Sequence, residues 1–171
     1  TPGHTGIGHT RWATHGGPTD VNAHPHLGDE GKLALIHNGI IENFAEIKVE
    51  LLAKGYEFES ETDTAVAAVL LGDVYREVGD LREAMRLVVN RLEGAFTLLA
   101  VHTDAPHLIV AARHNSPLVI GLGDGENFLG SDVAAFVEYT KRAAAVGQNQ
   151  VVAITPDSVD VIGFDGTPVS I

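Results

Sequence analysis

Six short apolar runs crowd the C-terminal half of the chain, at Ala95 to His102, Leu108 to Arg113, Leu118 to Leu122, Asn127 to Ser131, Val151 to Thr155 and Ser158 to Phe164. Most are separated by only a few turn-forming residues, such as the Gly/Asp-rich stretch Gly123 to Glu126. Gaps that short cannot hold a crossover helix, so neighbouring strands must turn back on one another as antiparallel hairpins. Ser131 or Asp132 caps a short predicted helix, Val133 to Tyr139.

The N-terminal half is organised differently. Gly6 to Thr14 reads as a short strand and Lys32 to His37 as another, the latter ended by the turn pair Asn38-Gly39. Between them Gly16 to Gly31 is a loop rich in Gly, Pro, Asp and His. Phe44, Ile47, Leu51 and Leu52 then repeat at helical spacing until Gly55. Asp63 to about Val78 predicts a buried helix, and Asp80-Leu81-Arg82-Glu83 opens another with a capping-box-like pair, closing near Gly94. Helices grouped together, followed by close-set strands, give the class α+β.

At 171 residues and 44% apolar the chain suits one domain, spanning residues 1 to 171, with no internal repeat or linker. It holds no run of eighteen apolar residues, and residues 1 to 11 lack the basic and apolar parts of a signal peptide, so a cytoplasmic location with no membrane span is expected. A net charge of −12 argues against binding phosphate backbones or anionic lipid, so no nucleic acid and no membrane partner are expected. Cysteine is absent, which removes disulfides, thiolate metal sites and a thiol nucleophile from these residues.

Chemistry concentrates in HTRWATHGGPTDVNAHPH, residues 9 to 26. Arg11 and Asp63 would suit the two ends of a free α-amino acid, a guanidinium taking the carboxylate bidentately and a carboxylate taking the ammonium. Equally, Arg11 could sit on a strand edge and Asp63 could cap the helix it precedes. Asn38 and Gly39 offer a side-chain NH₂ and a backbone N–H, the donor pair of an oxyanion hole, or else an ordinary hairpin turn. His24 and His26, two apart on an extended segment, could pair with His15 on a metal, but no carboxylate flanks them to orient the rings, and no metal is expected. Trp12, the only tryptophan, could be a half-buried core residue. An N-terminal Thr1 nucleophile is disfavoured, because Thr1-Pro2-Gly3 is loop-like.

Six blocks occur in order: GHTRWATHG (8–16), NAHPH (22–26), HNGIIEN (37–43), SETDT (60–64), SPLVIGLG (116–123) and GSD (130–132). Together they resemble the class II, N-terminal-nucleophile glutamine amidotransferase domain of the glutamine–fructose-6-phosphate aminotransferase (glucosamine-6-phosphate synthase) family. Amidophosphoribosyltransferase domains share the Asn-Gly and Asp-Thr positions, but ATHG, NAHPH and NGIIEN look like the hexosamine-forming family. The resemblance implies an N-terminal-nucleophile hydrolase fold, a four-layer α/β/β/α sandwich of mostly antiparallel sheets. It implies that Arg11 holds the α-carboxylate of L-glutamine or L-glutamate and Asp63 the α-ammonium, with Thr14 and His15 lining the pocket and Trp12 serving as lid and channel gate. Asn38 and Gly39 would stabilise the oxyanion, no cofactor would be needed, and sugar-isomerase domains would pass the ammonia to fructose 6-phosphate in a homo-oligomer.

The sequence departs from the pattern in lacking the family's N-terminal Cys nucleophile, which the resemblance places upstream of Thr1. The expectation is therefore an N-terminally truncated piece, inactive as it stands, with apolar surface left exposed where absent strands would pack and a tendency to dimerise, aggregate or lose order. Ala65 stands where the family commonly carries an acidic residue. The alternative is a non-catalytic glutamine- or glutamate-binding module.

Overall fold

The computed structural model describes residues 3–171; Thr1, considered above as a nucleophile, lies outside them. Ten strands and three α-helices are present among the described residues. Seven strands make one sheet in the order β1 (His26–Gly28), β2 (Leu33–Ile41), β3 (Gly94–His102), β4 (Ile109–His114), β8 (Gln150–Ile154), β9 (Val159–Gly163) and β10 (Pro168–Val169). A second sheet has β5 (Val119–Leu122) between β6 (Asn127–Gly130) and β7 (Ala143–Ala145). Every pairing is antiparallel, as short gaps require for the hairpins β1–β2, β3–β4, β5–β6, β8–β9 and β9–β10; β2–β3, β4–β8 and β5–β7 pair antiparallel across longer connections.

Strand alternation sorts the large sheet into two faces. Leu33, Leu35, Phe96, Leu98, Val110, Ala112, Val151 and Ile162 face the helices α1 (Phe44–Ala53), α2 (Asp63–Val78) and α3 (Leu81–Val89) in one core. Ala111, Val152, Ile154 and Val161 point the other way, to meet Leu118 and Ile120 at the small sheet in a second core. Each fully buried Val, Leu, Ile or Phe side chain among these contributes about 1.5–3 kcal/mol. The mixed sandwich of antiparallel sheets agrees with the fold implied by the family resemblance. Its outer layer beyond the small sheet is, among the described residues, only the 3-10 turn Val133–Ala135 and the coil after it. Phe136 seals that face: it is buried, and a Cβ on Gly121 would lie 2.6 Å from its ring.

Helix α2 is the central helix and the best encoded. Thr62 accepts a hydrogen bond from the Ala65 N–H at its start, and Gly79 ends it in the left-handed conformation, φ 68°. Small side chains at Ala65, Ala67, Ala68 and Gly72 let it lie buried against the sheet. Helix α3 places Leu81, Ala84, Met85, Val88 and Val89 inward and is capped by Asp80 on the Glu83 N–H.

Several expectations need correction. Gly6 to Thr14 is no strand; it runs as irregular chain beside the sheets. Asn38-Gly39 ends nothing, since β2 continues to Ile41 with Asn38 opposite Thr97 and Gly39 opposite Phe96. The predicted helix 133–139 is a single 3-10 turn, and α3 stops at Val89 rather than near Gly94. The loop 16–31 contains the short strand β1.

Candidate active site

The N-terminus of α2 abuts the middle of β2, and that junction builds the site. Asp63, first residue of α2, is 2% exposed. Its Oδ2 accepts the Ile41 N–H at 2.9 Å, and its Oδ1 accepts the Thr64 N–H at 3.0 Å. The nearest titratable neighbour among the described residues is His37, Nδ1 to Oδ2 at 3.9 Å, whose ring is better placed on the Thr64 hydroxyl at 2.9 Å. Burial holds His37 down to about 4 against the opposing pull of Asp63, so the ring is neutral at physiological pH. The carboxylate is thus buried with backbone donors and, among the described residues, no cationic side chain beside it, a setting suited to a ligand ammonium.

Asn38 lies on the opposite face of β2 from His37, toward the small sheet. His9 Nε2 meets its Oδ1 at 2.6 Å, and its Nδ2 donates to Ser131 Oγ at 2.9 Å. Three chain segments far apart in sequence therefore converge on one amide. Next to it Gly39 has φ 116°, and a Cβ there would lie 2.1 Å from the Ala95 carbonyl oxygen, so only glycine fits this distorted strand position.

Arg11, Trp12, Thr14, Asn38, Gly39 and Asp63 all line one open cleft of about 570 Å3. His15 does not: its ring packs on Phe44, centroids 4.9 Å apart, outside the cleft's lining. The Arg11 guanidinium is turned onto the loop, donating from Nη1 to Gly17 O (2.8 Å) and from Nη2 to His15 O (2.5 Å) and Gly16 O (3.1 Å). Three of its five N–H groups are so engaged, and a carboxylate must displace loop carbonyls to be held bidentately. Trp12 is 89% exposed at the rim, which removes the core-residue alternative.

Sequence reasoning missed His9, His37, Thr64 and Ser131. The GSD block carried the signal for Ser131, but nothing in the spacing ties residue 131 to residue 38. The histidines at 24 and 26 do neighbour one another, ring centroids 5.1 Å apart. They serve different partners: His26 Nε2 meets the Thr62 hydroxyl at 2.9 Å, while His24 packs at a tilt against His9, ring centroids 4.1 Å apart. Burial, with the neighbouring His9, His26, His37 and Arg11, pushes His24 down to about 3. Among the described residues no three His, Cys, Asp or Glu side chains are arranged to hold a metal ion. No helix there is long and apolar enough to cross a membrane.

A buried carboxylate, a guanidinium, an amide and a glycine around one cleft can take both ends of an amino acid and stabilise a developing oxyanion. Comparison with known proteins gives the same direction. The sequence profile of a family described as glutamine amidotransferase domain matches residues 1–160. Glutamine–fructose-6-phosphate aminotransferase (isomerizing) of Leifsonia xyli subsp. xyli is 72% identical over 169 residues, 99% of this chain and 27% of that protein. The enzyme of the same name from Streptomyces coelicolor is 62% identical, covering 98% of this chain and again 27% of the relative. The chain therefore spans about a quarter of the length of these relatives. Among solved structures, the glutamine phosphoribosylpyrophosphate amidotransferase of B. subtilis, complexed with ADP and GMP, superposes with a TM-score of 0.73 at 25% identity, over 91% of this chain and 34% of that one.

Proposed function

Because the chain belongs to the glutamine amidotransferase domain family, we propose that its cleft binds L-glutamine and forms the glutamine-hydrolysing half of a glutamine–fructose-6-phosphate aminotransferase. Arg11 takes the α-carboxylate, Asp63 the α-ammonium, and Thr14 and Trp12 bound the pocket, while His15, packed on Phe44, supports the loop behind it. Asn38 Nδ2 and the Gly39 N–H receive the oxyanion as the side-chain amide is attacked. The attacking group is not among these 171 residues, which contain no cysteine; a cysteine thiolate at a chain N-terminus, with its own α-amine moving the proton, is the chemistry the family resemblance calls for. The ammonia released would go to a sugar-isomerase partner domain for transfer to fructose 6-phosphate, giving glucosamine 6-phosphate.

The observation that carries this reading is the buried Asp63 carboxylate, without a cationic side-chain partner among the described residues, in the same cleft as Arg11 and Asn38-Gly39. Titration calorimetry tests it: L-glutamine and L-glutamate bind, D-glutamate binds at least ten-fold more weakly, and Arg11→Ala abolishes discrimination between them. Unchanged L-glutamate binding by Arg11→Ala contradicts it.

A second reading, a non-catalytic glutamine- or glutamate-binding module, is favoured by the lack of cysteine alone. Ammonia release from glutamine by the protein expressed from its complete reading frame decides between the two. Release establishes the amidotransferase; binding without release establishes the module.

A further inference from the structure

The Asn38 carboxamide can act as an oxyanion donor only if its nitrogen, not its oxygen, is presented to the reacting centre. A primary amide is nearly symmetric in shape, so something must choose between two orientations related by a half-turn. Ser131 cannot choose, because a hydroxyl accepts from Nδ2 or donates to Oδ1 equally well. We propose that His9 is the positioning residue that fixes this orientation, donating its Nε2–H to Asn38 Oδ1 and thereby turning Nδ2 toward Ser131 and the cleft. The inference rests on the assignment of Asn38 as oxyanion donor made above.

Three observations support it. The Nε2 to Oδ1 distance is 2.6 Å, a short contact of the kind a donor and acceptor make. The other ring nitrogen, Nδ1, is buried with no hydrogen-bond partner among the described residues. A proton on Nδ1 would be a stranded donor, whereas a bare lone pair there costs less, which places the ring proton on Nε2. Lastly, the ring packs at a tilt against His24 with centroids 4.1 Å apart, a close contact that limits its rotation away from the amide. With Nδ2 sharing one hydrogen with Ser131 Oγ at 2.9 Å, its second hydrogen is left for a ligand in the cleft.

An isosteric pair of substitutions separates this role from packing. His9→Gln keeps an N–H donor near the position of Nε2; His9→Glu has the same shape but only accepts, and draws Nδ2 away from Ser131. In the protein expressed from its complete reading frame, His9→Gln should keep glutamine-hydrolysis kcat within about three-fold, while His9→Glu should lose about 100-fold, the usual size of a lost oxyanion donor. KM for glutamine should change little in either, and His9→Leu should fall between them. Equal kcat for the Gln and Glu variants overturns the inference while leaving Asn38 as donor, provided Asn38→Ala is itself slowed about 100-fold. An Asn38→Ala variant with undiminished kcat overturns both. A measurement on the unaltered chain stands apart from variant folding and from turnover: ¹⁵N-resolved NMR of the His9 ring should show the Nε2–H tautomer, with contacts from the Asn38 NH₂ protons to Ser131. The Nδ1–H tautomer, or contacts from those protons to the His9 ring, overturns it.

Discussion

The Ile41 backbone N–H donates to the Asp63 carboxylate at 2.9 Å, tying the strand that carries Asn38-Gly39 to the helix that starts at the carboxylate. With the bond from the His37 ring to the Thr64 hydroxyl, it sets in register the two proposed halves of the candidate site, amino-acid recognition and oxyanion stabilisation. Asp63→Asn retains one oxygen for the Ile41 N–H, loses the acceptor for the Thr64 N–H, and loses the charge. It should fold, with L-glutamate affinity reduced about 10- to 100-fold, the range expected for a lost charge-assisted contact. Calorimetry on both proteins, with circular dichroism as the fold control, measures this; equal affinity would remove Asp63 from ammonium recognition.

Gly39→Ala tests the distorted strand position. A methyl placed 2.1 Å from the Ala95 carbonyl oxygen, on a residue at φ 116°, forces β2 and β3 apart. We expect a loss of about 2 kcal/mol or more in unfolding free energy, read from urea denaturation. An unchanged midpoint would show that the strands adjust freely there.

Thr62 does three things with one hydroxyl: it accepts from the Ala65 N–H at 3.1 Å, meets His26 Nε2 at 2.9 Å and meets Ser60 Oγ at 3.0 Å. Thr62→Ala loses a helix cap worth about 1 kcal/mol and strands a buried imidazole nitrogen, for a total near 2 kcal/mol. Thr62→Ser keeps the hydroxyl and should recover most of that. Denaturation of the two variants side by side checks the difference.

The histidines around the cleft give stability a distinctive pH dependence. His24, His26 and His37 all titrate below the ordinary 6.5, to about 3 for His24 and about 4 for His37, chiefly through burial. Below pH 6.5 the unfolded chain takes up protons that the folded chain refuses, so stability is full above 6.5 and falls as the pH drops from there toward 4. Each fully refusing histidine contributes at most ~1.4 kcal/mol per pH unit within that window. Chemical denaturation at pH 7.5, 6 and 5 should show the decline, and His37→Gln should make it shallower. A flat profile between pH 7.5 and 5 would mean that the rings protonate without unfolding.

The 171-residue polypeptide by itself should release no ammonia from glutamine above the blank, because the cleft has donors but no cysteine to attack. Turnover that persists through repurification and through Thr1→Ala would contradict this.

Much of the architecture was legible because local signals and tertiary demands agree. Helix α2 has its cap, its small-residue face and its glycine stop written in order, and its predicted bounds match Asp63–Val78. Where they disagree, tertiary contacts prevail. Asn-Gly is a strong hairpin signal, yet β3 continues opposite β2 as far as Gly94 and carries the pair as a strand. Ile40 and Ile41, apolar beyond the supposed turn, were the available cue. Gly6 to Thr14 alternates like a strand but finds no strand partner among the described residues. At the site, Arg11, Asp63 and Asn38-Gly39 are recognisable by residue type and motif. The turn of Arg11 onto its own loop, and the convergence of His9 and Ser131 on Asn38, depend on distances that no local pattern encodes.

The most direct test is a crystal structure of the chain with L-glutamate. The cleft reading predicts the α-carboxylate on the Arg11 guanidinium, the ammonium about 3 Å from the Asp63 carboxylate, and the side-chain carboxyl at Asn38 Nδ2 and the Gly39 N–H. L-glutamate bound elsewhere, or in the cleft with its α-carbon end at Asn38, would contradict it.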